Sequence, residues 1–393
     1  MFRKMPFILM AIILAVVIFS PLLSQNFQSN LYAVSLSIKS FIVFVLPFVV
    51  FGLLFKTAVH FANKASKMIL LLLLAVIGSN FISTLCSYYV GSIAYYFDLA
   101  IHLPSEANTL GANWQLLFPK WIANDQAMFA GLFFGGLLGW LKPSLARNLA
   151  LTFEKVVNGI LKIILLVIPV FIIGFVVKMN YDQALGNILR NYSIIFALVT
   201  VAVFSYITLI YFIANRYQVK PTMISLKNIL PAAIAGFGSM SSAAAMPLTI
   251  LGAEKNSQDK DLACAVVPAT VNIHLVGDCF AIPIFAFAVM KSFGFAEPTL
   301  FSYVIFAAYF VLAKFSVAAV PGGGILVMLP ILENHLGFNA EMLSLITALY
   351  ILFDPVITCA NVLGNGGFAQ IIDRLVKGFP ERARVDETIS QSS

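Results

Sequence analysis

The 393-residue chain is 61% hydrophobic and only 10% charged, and its mean hydropathy is +0.95. Soluble domains carry ~25% charged residues, so this composition excludes a soluble core of this size. The net charge of +7 lies mainly in short loops and tails, without a basic soluble module for nucleic acid. We therefore expect an integral membrane protein whose basic loops face the cytoplasm.

The first half of the chain predicts six membrane crossings, since a span needs ~20 apolar residues. The N-terminal run imitates a signal peptide but lacks an A-x-A-like cleavage site, and we interpret it as span 1. Basic residues follow spans 2, 4 and 6, which favours a cytoplasmic N-terminus, and residues 98–125 form an outer loop. Spans 1 to 6 are predicted at about 6–23, 34–61, 68–96, 126–141, 157–177 and 193–215.

The pattern changes after Lys227, where residues 228–253 could cross by length but contain a glycine- and serine-rich centre at 236–247. Opened backbone must not face lipid, because each unsatisfied N–H or C=O group costs several kcal/mol there. Both flanks are also basic. A re-entrant hairpin, hairpin 1, therefore fits better than a crossing.

Span 7, at about 262–290, contains the polar stretch Pro268–Asp278. In hydrocarbon an ionisable side chain costs at least ~2.5 kcal/mol, so His274 and Asp278 are functional candidates. The alternative is a pair of buried polar groups that only satisfy each other. We favour the interpretation that this stretch forms half of a transport site.

A second unit repeats this order. Residues 300–332 contain Lys314 and a glycine-rich tip at 320–324 (hairpin 2), and span 8, at about 342–375, contains Asp354-Pro355 and the glycines of 361–367. A broken hairpin followed by a broken helix, twice and from opposite sides, is typical of inverted repeats with a site at the bilayer midplane. The alternative is a set of ordinary helices with stray glycines. The predicted fold is all-α, with eight transmembrane helices and two re-entrant hairpins.

Three segments at these breaks carry distinctive motifs. They read Ser241-Ser242-Ala243-Ala244-Ala245-Met246-Pro247, Val320-Pro321-Gly322-Gly323-Gly324 and Asn361-Val362-Leu363-Gly364-Asn365. In these segments the chain resembles the sodium/dicarboxylate symporter family, which includes glutamate transporters and neutral amino acid exchangers. The first two segments match the family's hairpin tips, and the third matches its Asn-Val-x-Gly-Asp segment in span 8.

The resemblance implies a homotrimer in which a transport domain slides elevator-fashion against a central scaffold. Residues 1–225 would supply the scaffold from spans 1, 2, 4 and 5, with spans 3 and 6 joining the transport domain. Residues 226–376 would form the transport core, and residues 377–393 a cytoplasmic tail. The implied location is a bacterial inner membrane.

The resemblance also implies a substrate site for an α-amino acid. Asp354 falls where the family binds the amino group, and Asn361 and the Ser241–Ser242 tip fall where it holds the α-carboxylate. Val320 to Gly324 would form the outer lid, with the Val320 and Gly322 backbone near that carboxylate. Thr358 belongs to the same implied set.

Other family positions are altered. The Asn-Met-Asp-Gly-Thr motif of span 7 falls on 274–278 or, with a two-residue gap, on 272–276, so its sodium-binding Asp is replaced by Val276 or His274. The Arg that clamps an acidic side chain falls on Ile357, and the closing Asp of a sodium site is Asn365. Lys314 lies near the second hairpin tip.

Two hypotheses follow from these departures. Proton coupling through His274 and Asp278 is favoured over sodium coupling, and Lys314 is either a fixed charge in place of a sodium ion or a side chain snorkelling at the interface. A neutral or basic amino acid is the favoured substrate, because Asp278 repels a carboxylate. The alternative is a dicarboxylate symporter that uses protonated Asp278 with Lys314.

Two rival classes of membrane protein, channels and intramembrane enzymes, have sequence patterns that we do not find in this chain. A channel would need a charged or carbonyl-lined filter ring, and an intramembrane enzyme would need a base near Ser241 and Ser242, which the hairpin itself does not contain. We expect no enzyme activity and no cofactor. The expected partners are a small-molecule substrate, a coupling cation (H⁺ or Na⁺), the lipid bilayer and two further copies of the chain.

Overall fold

The computed structural model describes residues 11, 14–63, 67–97, 110–119, 121–182, 184–317 and 322–377. Within these residues the chain forms a short 3₁₀ turn, Ser20–Leu22, and twelve α-helices. The helices are α1 (Gln25–Asn63), α2 (Lys67–Tyr96), α3 (Asn124–Leu141), α4 (Pro143–Tyr181), α5 (Ala184–Ala214), α6 (Val219–Ser239), α7 (Ser242–Asn256), α8 (Lys260–Thr270), α9 (Val276–Ser292), α10 (Leu300–Lys314), α11 (Gly323–Leu336) and α12 (Ala340–Lys377).

Five segments of these helices are long and apolar enough to cross a membrane, namely Gln25–Val59, Leu70–Ile93, Pro143–Tyr181, Tyr192–Ala214 and Glu341–Lys377. Three shorter apolar helices, Gln126–Leu141, Leu300–Lys314 and Gly323–Leu336, accompany them. The chain is an integral membrane protein, as predicted. The total of eight spans stays a prediction.

Helix α1 packs along α3 and α4 at very short range. The contact with α3 uses glycines at every fourth position, Gly131, Gly135 and Gly139, which share one helix face. A Cβ atom on Gly135 would lie 2.5 Å from the Phe55 carbonyl oxygen, and one on Gly139 would lie 2.7 Å from the Ala62 Cβ. Only glycine allows the helices to approach so closely.

The predicted hairpin 1 is present as α6 and α7. Met240 adopts a left-handed conformation, with φ of 50°, and Ser241 caps α7 by accepting a hydrogen bond from the Ala244 N–H. The last residue of α7 meets the middle of α6, because Asn228 Nδ2 donates to Asn256 Oδ1 over 2.8 Å. Both arms therefore begin and end on the same side.

The predicted break in span 7 is also present. Helix α8 ends at Thr270 and α9 begins at Val276, and the residues between them are not helical. The freed carbonyl of Ile273 accepts a hydrogen bond of 2.7 Å from Asn80 Nδ2 on α2, and the carbonyl of His274 accepts one of 3.3 Å from Asn365 Nδ2 on α12. Protein side chains satisfy the opened backbone, as a buried break requires.

The prediction that span 8 is broken is wrong, because α12 is one continuous helix of 38 residues. Its glycines serve packing rather than unwinding. A Cβ on Gly364 would lie 3.2 Å from the Val276 Cβ, and one on Gly366 would lie 2.7 Å from the Tyr211 hydroxyl. The glycine-rich segment therefore lets α9 and α5 approach α12.

The last turn of α12 holds the connection between α7 and α8. The buried Asp373 carboxylate accepts hydrogen bonds from the backbone N–H groups of Gln258 and Asp259, over 2.9 and 3.0 Å. The Leu262 N–H and the Lys377 ammonium, 3.0 Å away, hold the pKa of the Asp259 carboxyl below its usual value. Lys377 thus belongs to the helix, and the rest of the predicted tail, residues 378–393, lies outside the described residues.

Candidate functional site

Asp278, in the first turn of α9, is the centre of a buried polar cluster. Its Oδ1 accepts a hydrogen bond of 2.6 Å from the Tyr350 hydroxyl, and its Oδ2 accepts one of 3.2 Å from Asn361 Nδ2, both on α12. The Lys314 Nζ atom, at the end of α10, lies 3.8 Å from Oδ2. Three helices thus supply a carboxylate, a phenol, an amide and an ammonium at one point.

Two glycines allow these helices to converge on Asp278. A Cβ on Gly277 would lie 2.3 Å from the Ile357 carbonyl oxygen, so α9 and α12 touch backbone to backbone there. The Gly277 N–H also donates to Asn361 Oδ1 over 2.8 Å. A Cβ on Gly324 would lie 2.5 Å from Asp278 Oδ1, which places the first turn of α11 directly against the carboxylate. The positive end of α11 therefore faces a negative charge.

Asp354, one turn beyond Tyr350 on α12, is a second buried carboxylate. Its Oδ2 accepts a hydrogen bond of 2.9 Å from the Gly322 N–H, and its Oδ1 accepts one of 3.1 Å from the Thr358 hydroxyl. Among the described residues it has no cationic partner within ion-pair distance. Neutral donors hold Asp354, so a cationic group of a ligand would be the first positive charge beside its ionised carboxylate.

His274 forms a third polar point, in the non-helical segment between α8 and α9. Its Nε2 atom lies 2.9 Å from the Ser79 hydroxyl of α2, and its ring packs against Phe368 with centroids 4.2 Å apart. The side chain is fully buried, and Nδ1 has no hydrogen-bond partner among the described residues. One nitrogen therefore remains able to accept or donate a proton.

Asn365, on α12, connects the His274 segment to α8. Its Oδ1 atom is 3.0 Å from the Thr270 hydroxyl, while its Nδ2 donates to the His274 carbonyl. A hard cation such as sodium is held by oxygen ligands that point at the ion. Here the carbonyls of Ile273 and His274 accept hydrogen bonds from two side-chain amides instead.

The predicted site residues form three groups. Asp278, Lys314 and Asn361 meet at one point, Asp354, Gly322 and Thr358 at a second, and His274 and Asn365 at a third. The alternative of a snorkelling Lys314 is wrong, because its side chain is fully buried.

The remaining predicted residues that the structure describes are placed by other contacts. Ser241 caps α7, and Ser242 is buried beside it. Hairpin 1 approaches α12 through Gly236, where a Cβ would lie 2.9 Å from the Val362 side chain. Ile357 is buried, and Val276 packs beside Gly364. Val320 lies outside the described residues.

Sequence reasoning missed Tyr350, Asn80 and Ser79, although the sequence contains a signal for each. Tyr350 precedes Asp354 by four residues, so both lie on the helix face that continues through Thr358 and Asn361. On α2, polar residues recur within an apolar span at 79, 80, 83, 84 and 87, which is one face of a helix. Both patterns predict a buried polar stripe.

Comparison with known proteins gives one family match and several distant relatives. The model of the sodium:dicarboxylate symporter family matches residues 117–375. Excitatory amino acid transporter 1 of Homo sapiens is 25% identical over 252 residues, which are 62% of this chain and 45% of that protein. The Mus musculus protein of that name is 26% identical over 254 residues, with the same two shares. An excitatory amino acid transporter of Onchocerca volvulus is 27% identical over 165 residues, 42% of this chain and 32% of that protein. The matches cover less than half the length of these relatives.

Proposed function

The chain belongs to the sodium:dicarboxylate symporter family, and on that premise we propose that it is a secondary active transporter of a small neutral or basic amino acid. Transport is coupled to a cation, and a proton is favoured over sodium. The observation that carries the proposal is the buried Asp354 carboxylate, which neutral donors hold and which has no cationic partner among the described residues.

The charge balance of the cluster supports an amino acid with a neutral or basic side chain. The site contains two carboxylates, Asp278 and Asp354, and one ammonium, that of Lys314 beside Asp278, so these three groups sum to one negative charge when all are ionised. A substrate ammonium compensates this charge locally, while the α-carboxylate of the same substrate needs neutral donors elsewhere in the site. Ile357 stands at the family's arginine position and offers no positive charge to a second carboxylate. An acidic side chain would therefore meet uncompensated negative charge.

The surroundings of His274 support proton coupling. Its ring is buried on Phe368, with a hydroxyl at one nitrogen and no described partner at the other. Histidine changes charge near neutral pH when it is accessible to protons, so His274 would take up its proton in a state that opens the buried ring to water. The opened carbonyls of Ile273 and His274, which a sodium ion would use as ligands, accept amide hydrogen bonds.

A dicarboxylate substrate is the second candidate, and the Lys314–Asp278 contact is the observation that favours it. If Asp278 is protonated, it can donate a hydrogen bond to a carboxylate while Lys314 supplies the counter-charge. This alternative agrees with the family's name. The two candidate substrates are distinguished by whether aspartate and dicarboxylates, or neutral and basic amino acids, inhibit uptake.

The proposal includes the family's architecture. The chain acts as a homotrimer in a plasma membrane, with both termini in the cytoplasm. Spans 1, 2, 4 and 5 form the scaffold, residues 226–376 form the moving core, and spans 3 and 6 travel with the core. The packing of α1 on α3 and α4, and of α12 on α5, α6, α7 and α9, supports this division.

Reconstituted transport tests the proposal. The full chain is placed in proteoliposomes, sodium and proton gradients are imposed separately, and uptake is measured over a panel of radiolabelled amino acids and dicarboxylates. We expect uptake driven by an inward proton gradient and inhibited by serine, alanine or lysine. Inhibition by aspartate or dicarboxylates alone contradicts the substrate assignment. Uptake that needs sodium and ignores the proton gradient contradicts the coupling assignment.

A further inference from the structure

The side chain of Lys314 interacts with the described residues through its positive charge and donates no hydrogen bond to them. It is fully buried, and its Nζ atom has no hydrogen-bond acceptor among the described residues. Its nearest charged neighbour is Asp278, 3.8 Å away, and its nearest aromatic neighbour is Phe310, whose ring centre is 4.5 Å away. A buried ammonium has three donors and normally uses them.

The features around the Lys314 ammonium suit any small cation. Asp278 offers a carboxylate whose other contacts are neutral, and Phe310 offers an aromatic face, which attracts cations. Lys314 is also the last residue of α10, where the helix dipole favours positive charge. In the following turn the Ser316 hydroxyl is buried without a described hydrogen-bond partner. The carboxylate, the aromatic ring and the helix end are general attractions for a cation.

We propose that the position beside Asp278 is a monovalent-cation site, and that the Lys314 ammonium is its resident cation. The lysine takes the place of a free cation, so this position adds no free ion to transport. The inference rests on the proposed function, because it concerns which cations a carrier of this family needs. Its chemical prediction is that removing the lysine side chain creates a site for sodium, lithium or methylammonium.

Thermal unfolding of the purified full chain in detergent tests this without any substrate. Choline chloride is replaced at constant ionic strength by sodium, lithium or methylammonium chloride, and the Tm is recorded. We expect the unsubstituted protein to be indifferent to the replacement. Lys314→Ala should have a lower Tm that rises saturably with the small cations. Lys227→Ala, which removes an exposed lysine, should behave like the unsubstituted protein.

The role of Asp278 is tested in the same assay. The double variant Asp278→Asn/Lys314→Ala should lose the saturable rise in Tm. The proposal is overturned if folded Lys314→Ala ignores all three cations. It is also overturned if sodium already stabilises the unsubstituted protein saturably and Asp278→Asn abolishes that effect.

A second set of variants covers the case in which Lys314→Ala does not fold. Lys314→Met preserves the volume and removes the charge, so Lys314→Met and Asp278→Asn should each lower the Tm, whereas their combination should recover part of the loss. Strictly additive losses would show that the two groups do not interact and would overturn the proposal.

Transport separates the failure of this inference from that of the proposed function. If the unsubstituted protein carries no amino acid, the proposed function fails, but the Tm results still decide the cation site. If it carries amino acids as proposed and the Lys314 variants ignore cations, only the cation site is rejected.

Discussion

At the scale of single residues, Asp354 bears most directly on the proposed substrate. The Gly322 N–H and the Thr358 hydroxyl fix the positions of its two oxygens without cancelling its charge. A substrate ammonium that approaches these oxygens gains a charge-assisted hydrogen bond, which is about twice as strong as a neutral one. The role that we propose for Asp354 is therefore to select for an amino group.

Asp354→Asn is expected to weaken binding of the transported amino acid by ~10–100-fold. A hydrogen bond to a charged group contributes ~1.5–3 kcal/mol, and each 1.4 kcal/mol is about tenfold in affinity. Competition with the radiolabelled substrate in proteoliposomes measures the change. Asp261→Asn, which alters an exposed carboxylate of α8, is the matched control. Equal affinity in both variants would contradict this role.

His274→Gln is expected to remove most of the stimulation of uptake by an inward proton gradient. Glutamine retains a donor and an acceptor for Ser79 but does not titrate between pH 5 and 8. Uptake is measured with and without the gradient. His335→Gln, on α11, is the control and should leave the stimulation unchanged. A His274→Gln protein that still follows the proton gradient would assign the proton to another group.

The sequence predicted the charged members of the cluster better than its neutral members. Asp278, Lys314 and Asp354 are conspicuous because charge is costly in an apolar segment. Tyr350 is an ordinary residue for a membrane helix, and only its spacing from Asp354 indicates its role. Asn80 lies on α2, far away in sequence, and its contact with the Ile273 carbonyl depends on the tertiary packing of α2 against α9.

At the scale of helices, glycine decides which pairs can touch. The α1–α3 contact places backbone against backbone at Gly135, where a Cβ would lie 2.5 Å from a carbonyl oxygen. The next residue, Gly136, points into open space, because a Cβ there would meet no described atom beyond its own stretch of helix within 4 Å. Two adjacent glycines thus have opposite structural roles.

Gly135→Ala is expected to lower the Tm, whereas Gly136→Ala should leave it unchanged or raise it. Overpacking costs ~1–3 kcal/mol, and alanine gains up to ~1 kcal/mol over glycine in a helix. Thermal unfolding of the two purified variants in detergent measures the difference. A shared shift of equal size would contradict the close α1–α3 approach.

The two uses of glycine, close packing and backbone opening, explain the different outcomes for spans 7 and 8. The sequence correctly predicted a break in span 7 and wrongly predicted one in span 8. In span 7, Pro268 and Gly277 accompany polar residues whose partners lie on α2 and α12, and the backbone opens between them. In span 8 the glycines are close-packing positions against α5 and α9. Glycine in a sequence does not reveal which of these two uses it serves, because the difference lies in its neighbours.

At the scale of the whole molecule, an ion-pair contact between described residues joins the two proposed groups of helices. Lys178, on α4, lies 2.9 Å from Asp182 and 3.9 Å from Glu341, in the first turn of α12. Lys56 and Glu154, on α1 and α4, form a 2.5 Å contact wholly inside the proposed scaffold. Elevator motion would separate Lys178 from Glu341 and would preserve the contact between Lys56 and Glu154.

Cysteine cross-linking is expected to distinguish these contacts in the full chain without its four native cysteines. A short bifunctional cross-linker that joins cysteines at positions 178 and 341 should abolish uptake in proteoliposomes, and reversal should restore it. Cysteines joined at positions 56 and 154 should leave most uptake intact. Equal uptake by both cross-linked proteins would contradict a sliding core.

The Lys314–Asp278 contact has an electrical consequence. A buried carboxylate carried alone across the membrane would exchange ~2.3 kcal/mol with each 100 mV of membrane potential. A carboxylate that travels with its own ammonium, 3.8 Å away, exchanges almost nothing. The Lys314–Asp278 pair would then add no net charge to the moving core, and the voltage dependence of the transport step would reflect Asp354, the substrate and the free coupling ions.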